Sequence, residues 1–278
     1  VGAEKRKLYC SKHPLFADAG DEYCHTMLAG KSSQKIAYNR IDRISRNKCL
    51  SKTMNKITLQ DVNAFKQKRL SEVNPTTCRD ELLMIRRVFR WYIREHMART
   101  GIHMRNPCEM ITIPPGGKPR DRVISPDELK LLMSAMSPSM AIITELAYET
   151  AMRRSEILKL TPKDLHLSER FLCVIDGKEG SRDVPLTRRA CALLEGALVD
   201  SRGGPGGAKL FQVAPYSVTQ SLRRAREKVG LDDNVRFHQL RHTRISIVAR
   251  KGFNQAQIMM VSGHRDMVWR TMQRPVTI

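Results

Sequence analysis

The sequence predicts a mainly α-helical protein with one small β-hairpin, split into a helical N-terminal domain and a mixed α+β C-terminal domain. Three observations predict this. Apolar side chains recur at spacings of three and four through most of the chain; one stretch near residue 171 abandons that period for a continuous apolar run; and a Pro/Gly-dense segment interrupts the middle. At 278 residues the chain fits about two domains of ~150 residues each. Hydrophobic residues at 41% and charged residues at 28% exclude a disordered or fibrous polypeptide.

The first domain is assigned to residues 1–112, with residues 1–20 expected to be irregular. A helix is expected over Thr58 to Ser71, where Thr58 can cap and Asp61 stands three residues on. A second is expected over Thr77 to His96, with Leu82, Ile85, Phe89, Tyr92 and Ile93 as its buried stripe. Residues 113–121, including Pro114, Pro115, Gly116, Gly117 and Pro119, neither continue a helix nor fill a strand and read as a linker.

The second domain, residues 122–278, opens on Ser125-Pro126-Asp127-Glu128, an N-cap, a proline at the first helical position and a capping-box carboxylate. Helices are expected to about Met136, from about Met140 to Glu149, and over Ser155 to Leu160. Then Phe171 to Ile175 reads as a strand, Asp176-Gly177 as a turn, and Asp183 to Leu186 as the returning strand. Helices resume over Thr187 to Val199, Ser217 to Val229, 239–251 and 254–261, with Gly252 closing the third of these.

Charge indicates the partner. Lys and Arg total 49 against 28 Asp and Glu, a net +21, far beyond what solubility requires. Residues 1–121 hold 24 basic and 12 acidic side chains and residues 122–278 hold 25 and 16, so both halves are cationic and a two-sided grip on a polyanion is expected. Arg86, Arg90 and Arg94 follow one another at i+4 on one helix, and Arg223 and Arg224 lie on another. Each set reads either as a solvated face or as a phosphate-contacting one. Aromatic residues at 5% do not supply the interleaved stacking platforms of single-strand readers, which weakens an RNA-binding reading.

Seven scattered cysteines with no C-x-x-C pair fit reduced thiols and a cytoplasmic protein. Cys10, His13, Cys24 and His25 are ligand types for zinc, but their spacing matches no usual finger, and no metal is expected. There is no phosphate-cradling G-x-x-x-x-G-K and no acidic cluster for two metals. No apolar run spans a membrane, and no secretory leader is recognisable. The start at Val1 rather than Met leaves the true N-terminus open.

Three segments far apart in the chain each place a cationic or imidazole group at a break between elements: Thr150-Ala151-Met152-Arg153-Arg154-Ser155-Glu156, His238-Gln239-Leu240-Arg241-His242-Thr243, and Ser262-Gly263-His264-Arg265. The hairpin adds Lys178 at its tip. In this order the segments resemble the tyrosine recombinase (phage integrase) family, whose pattern is T-G-x-R-x-x-E, a hairpin lysine, H-x-x-R, G-H, and a tyrosine about ten residues on. The resemblance covers residues 122–267 and is most like the shufflon-type members.

The resemblance implies a helical core-binding domain followed by a catalytic domain, clasping double-stranded DNA as a homo-oligomer, tetrameric in the family's synapses. It implies that Arg153 and Arg241 clamp the scissile phosphate, that His238 and His264 donate to it or handle the nucleophile's proton, and that Lys178 protonates the leaving 5′-hydroxyl. Glu156 is expected to orient a neighbour. The chemistry fits: attack on phosphorus builds charge on the non-bridging oxygens, which planar guanidiniums bind through paired hydrogen bonds. Because the family conserves phosphate energy in a 3′-phosphotyrosyl bond, no cofactor is implied.

The family's nucleophile has no counterpart here. Ten residues beyond Gly263 stands Gln273, an alternative alignment reaches Pro275, and the six tyrosines (9, 23, 38, 92, 148 and 216) all precede His238. Ala151 stands where the family has glycine, and the hairpin loop is one residue short. The expectation is a DNA recombinase of mobile-element type that retains phosphate activation, with its catalytic domain C-terminally incomplete by truncation, frameshift or decay. The alternative is a catalytically silent protein that occupies recombination sites.

Overall fold

The computed structural model describes residues 13–117, 122–177, 180–201 and 208–263. The chain forms two compact units, Val1–Lys118 and Pro119–Ile278.

The first unit contains α1 (Phe16–Met27), α2 (Gln34–Ser45), α3 (Leu59–Glu72) and α4 (Pro75–Thr100). The irregular segment expected through residue 20 is corrected by α1. Its first residue, Phe16, is fully buried with its ring 6.1 Å from that of Phe89, so core contact fixes the helix start. Thr58 and Asp61 form the expected capping box, the Thr58 N–H donating to Asp61 Oδ2 at 2.9 Å. Asn74 caps α4, Pro75 occupies its first position, and Gly101 ends it at φ +70°. Leu82, Ile85, Phe89 and Tyr92 are buried as their period predicts. Glu81 is buried beside them, and Arg69 donates to both its oxygens at 2.7 and 2.8 Å, tying α3 to α4.

The second unit contains α5 (Pro126–Ser134), α6 (Pro138–Thr150), the single turn α7 (Arg154–Ile157), a three-stranded antiparallel sheet, then α8 (Arg188–Ser201), α9 (Pro215–Lys228), α10 (Phe237–Arg250) and α11 (Gln255–Ser262). Strands β1 (Leu165–His166), β2 (Phe171–Gly177) and β3 (Gly180–Pro185) lie in sequence order, with Leu172 opposite Val184 and Gly177 opposite Gly180. Asp176 and Gly177, expected as the turn, are instead the last residues of β2. The short β1 has no period to betray it; its His166 ring stacks on Phe171 at 4.4 Å.

The helix expected over Ser155 to Leu160 stops at Ile157. Thr161-Pro162 disfavours helical backbone, and the Leu160 carbonyl accepts from the Leu210 N–H at 2.8 Å instead of closing another turn. One core joins α5, α6, the sheet, α8, α9 and α10 through Leu132, Ile143, Leu146, Leu172, Val184, Leu194 and Leu240. α10 packs on α6, and α11 packs on both α10 and β3. These contacts bring the three motif segments to one place.

Candidate active site

Arg153 sits at the mouth of α7, in extended conformation just before the helix begins. Glu156, one turn on, reaches back to it twice: the Arg153 N–H donates to Oε2 at 2.9 Å and Nη1 donates to Oε1 at 3.0 Å. The same carboxylate receives a second guanidinium from β3, with Arg182 Nη1 donating to Oε1 at 3.1 Å and Nη2 to Oε2 at 2.9 Å. Burial opposes the charge on Glu156, which is only 5% exposed, but the Arg182 bonds, the Arg153 N–H, the Arg182 charge and the Arg153 side-chain bond overcome this and hold its carboxyl at about 2.

Arg241 enters from α10 and is 2% exposed. Its Nη1 donates to the Ala151 carbonyl at 2.6 Å, and its Nη2 donates to the Ser262 carbonyl. The H-x-x-R segment therefore stitches the residue two before Arg153 to the residue two before His264. Ala151 closes α6 in left-handed backbone, φ 55° and ψ 17°, the conformation for which glycine is favoured and in which Cβ crowds the carbonyl. Gly263 likewise ends α11 at φ +62°, and a Cβ built there would lie 2.5 Å from Arg182 Nε.

The contacts thus run in a closed circuit: Arg241 to Ala151, along the chain to Arg153, through Glu156 to Arg182, against Gly263, and from Ser262 back to Arg241. Among the described residues of the circuit, two guanidiniums share one carboxylate and a third is held by backbone carbonyls, so positive charge outnumbers negative within it. Such an excess, built on fixed N–H geometry, suits an oxyanion.

His238, one position into α10, is exposed, with its ring 4.7 Å from and perpendicular to that of His242. Burial, reinforced by the Arg241 charge, lowers the His242 pKa and favours its neutral ring. Lys178 and His264 lie outside the described residues. Arg182 is the residue that sequence reasoning missed. The available signal was the strand period, because Arg182 alternates in phase with the buried Val184 and so points inward, where an arginine needs a partner.

The other predicted sites fare differently. Arg86 is corrected: its guanidinium donates to the Cys108 carbonyl at 3.2 and 2.7 Å and to that of Ile111 at 3.4 Å, so it pins the segment after α4 rather than facing outward. Arg90 and Arg94 are exposed, Arg94 lying 3.6 Å from Glu95. Arg223 and Arg224 are exposed on α9, Arg223 with Glu227 at 3.7 Å. The four candidate zinc ligands do not assemble among the described residues. His13 bonds the Tyr92 hydroxyl at 2.8 Å, Cys24 is fully buried, His25 packs on Tyr38 at 5.4 Å, and Cys10 is outside the described set. No described helix is long and apolar enough to cross a membrane.

The phage integrase family pattern matches residues 122–271, more than half of the chain and all of the circuit. The chain belongs to the phage integrase family. This integrase-family chain is 30% identical over 262 residues to the shufflon-specific DNA recombinase of Escherichia coli, across 89% of its own length. It spans only 65% of that relative. It is 24% identical over 224 residues to the tyrosine recombinase XerA of Saccharolobus solfataricus, covering 80% of this chain and 69% of that one.

In fold it is similar to the Tn1549 transposon integrase in complex with circular intermediate DNA, with a TM-score of 0.75 at 15% identity over 91% of this chain and 92% of that one. It is also similar to the lambda integrase tetramer bound to a Holliday junction, with a TM-score of 0.74 at 17% identity over 98% and 84%. At such identities the likeness shows the fold, mostly helical with a small sheet, as the sequence predicts.

Proposed function

We propose that this chain binds duplex DNA at a specific site and holds one backbone phosphodiester in the guanidinium circuit, activating it for strand exchange, with no tyrosine beyond His238 within residues 1–278 to cleave it. The observation that supports this reading is the convergence of Arg153, Arg182 and Arg241 from three separate elements of the second unit, fixed by Glu156 and two backbone carbonyls. Negative charge growing on the phosphate oxygens during attack would meet preset N–H donors there. Arg153 and Arg241 are its clamp, His238 and His264 its proton-handling groups, and Lys178 the acid for the departing 5′-hydroxyl. Arg90, Arg94, Arg223 and Arg224 add phosphate contacts.

The first unit serves as the core-binding domain and the second as the catalytic one. Protomers assemble on DNA, as the lambda integrase does in its tetramer on a Holliday junction. This activity places the protein in the cytoplasm with the DNA and fits a gene carried on a mobile element. The retained circuit favours one further reading, in which the cleaving phenol comes from another chain.

Incubation with nicked duplexes bearing recombination sites, with and without an intact tyrosine recombinase of shufflon type, separates these readings. Site-preferring binding whose affinity falls steeply with salt, without a covalent protein–DNA adduct of this chain, is expected. Binding indifferent to sequence would defeat the reading. An adduct formed by this chain alone would refute the claim that it supplies no nucleophile.

A further inference from the structure

We infer that Thr243 and Gln239 are positioning residues, which clasp residues 122–124 and thereby fix the rotation of α10 on which the placing of Arg241 depends. The inference rests on the phosphate-binding reading above and adds to it two residues that act through Arg241. Residues 122–124 stand near the start of the second unit, just beyond the Pro/Gly-rich segment. Gln239 Nε2 donates to the Arg122 carbonyl, and the Ile124 N–H donates to Thr243 Oγ1 at 3.0 Å. Both side chains are buried, as is Ile124. The stretch they clasp is itself anchored. The Arg122 guanidinium donates to Asp232 Oδ2 at 2.9 Å, in the loop between α9 and α10, and to Glu128 Oε2 at 3.2 Å, the carboxylate that caps α5.

Gln239 and Thr243 are one helical turn apart and share a face of α10. At about 100° per residue, Arg241, midway between them, points to the opposite face. α10 is thus gripped from two flanks, by residues 122–124 on one and by the Ala151 and Ser262 carbonyls on the other. Leu240 holds the helix in the core, but apolar contact has little angular demand, whereas a hydrogen bond has a steep one. A rotation of ~10° would carry a guanidinium ~8 Å from the helix axis through about 1.4 Å. That is the scale of misplacement that a preset anion site does not tolerate. Valine would fill the volume of Thr243, so the hydroxyl is what the position retains: without it the buried Ile124 N–H loses this acceptor.

A double-mutant cycle on the full chain tests this, read as affinity for a random-sequence DNA duplex at fixed salt. Thr243→Val should weaken binding about threefold, and Thr243→Ser, which keeps the acceptor, should bind as wild type does. In an Arg241→Lys background the same valine should change affinity by less than about 1.5-fold, because the guanidinium it positions is gone. Equal losses in both backgrounds would overturn the inference, and so would a folded Thr243→Val protein that binds as tightly as wild type.

In parallel, hydrogen-exchange mass spectrometry without DNA should show faster exchange over residues 255–263 in Thr243→Val, where Arg241 holds the Ser262 carbonyl. Leu194→Val, a core change in α8, controls for general loosening. Exchange over 255–263 that stays at the wild-type rate, or that rises equally in Leu194→Val, would overturn the inference. If Thr243→Val does not fold, Arg122→Gln, which loosens 122–124 from Glu128 and Asp232 and leaves α10 unaltered, takes its place with the same expected and overturning results. A wild-type protein that ignores duplex DNA would defeat the functional reading; there, as where Arg241→Lys does not fold, the exchange arm decides this one.

Discussion

Replacing Glu156 by glutamine keeps the shape of the side chain and removes the charge that two arginines share. The carboxyl sits at about 2 against an ordinary 4.5, and this difference corresponds to about 3 kcal/mol of preferential interaction with the ionised form. The independent expectation for breaking a buried ion pair from one side, ~3–5 kcal/mol, agrees. In a unit of this size that is a loss of roughly 6–12 °C in Tm. Because the folded-state value is depressed, the contribution is complete above the unfolded value, in full from about pH 5 upward, and is lost as pH falls through about 2, with about half or less remaining at pH 3. Glu156→Gln should therefore be markedly less stable than wild type at pH 7 and much closer to it at pH 3. Hydrogen-exchange mass spectrometry on peptides spanning 150–186 reads the effect where it arises. A deficit of the same size at both pH values would refute the argument, because it would show that shape rather than charge holds the circuit.

Four further outcomes follow from the geometry. Arg86→Ala removes the donor to the Cys108 and Ile111 carbonyls and should destabilise the first unit by about 2 kcal/mol in urea titration while leaving the salt slope of DNA binding unchanged; Arg90→Ala should lower that slope by about one without moving Tm. Arg241→Lys replaces a fork that spans two carbonyls with a single ammonium. A loss of roughly 2 kcal/mol is expected by chemical denaturation, with exchange protection falling in α11 as well as around Ala151. Thr58→Ala should cost about 1 kcal/mol through the lost cap, seen as faster amide exchange in the first turn of α3.

The periodic and capped elements were legible in the sequence because their signals are local. The Thr58–Asp61 and Ser125–Glu128 boxes need only four residues to be recognised, and the α4 stripe repeats often enough to outweigh its many arginines. What escaped detection is set by contacts made at long range. The start of α1 depends on Phe16 meeting Phe89, 73 positions away, and the early stop of α7 on Leu210 reaching the Leu160 carbonyl. The site divides in the same way. Arg153, Glu156 and Arg241 fall in ordered motifs and were found. Arg182 stands alone, its inward direction evident only once the register to β2 is fixed, and Arg86 shares its spacing with two exposed neighbours although backbone carbonyls far along the chain have claimed it.

The two carbonyls gripped by Arg241 lie 90 residues before it and 21 after it. During synthesis, then, the circuit cannot close before residue 262 has left the ribosome, because until Ser262 has emerged the guanidinium lacks its second anchor.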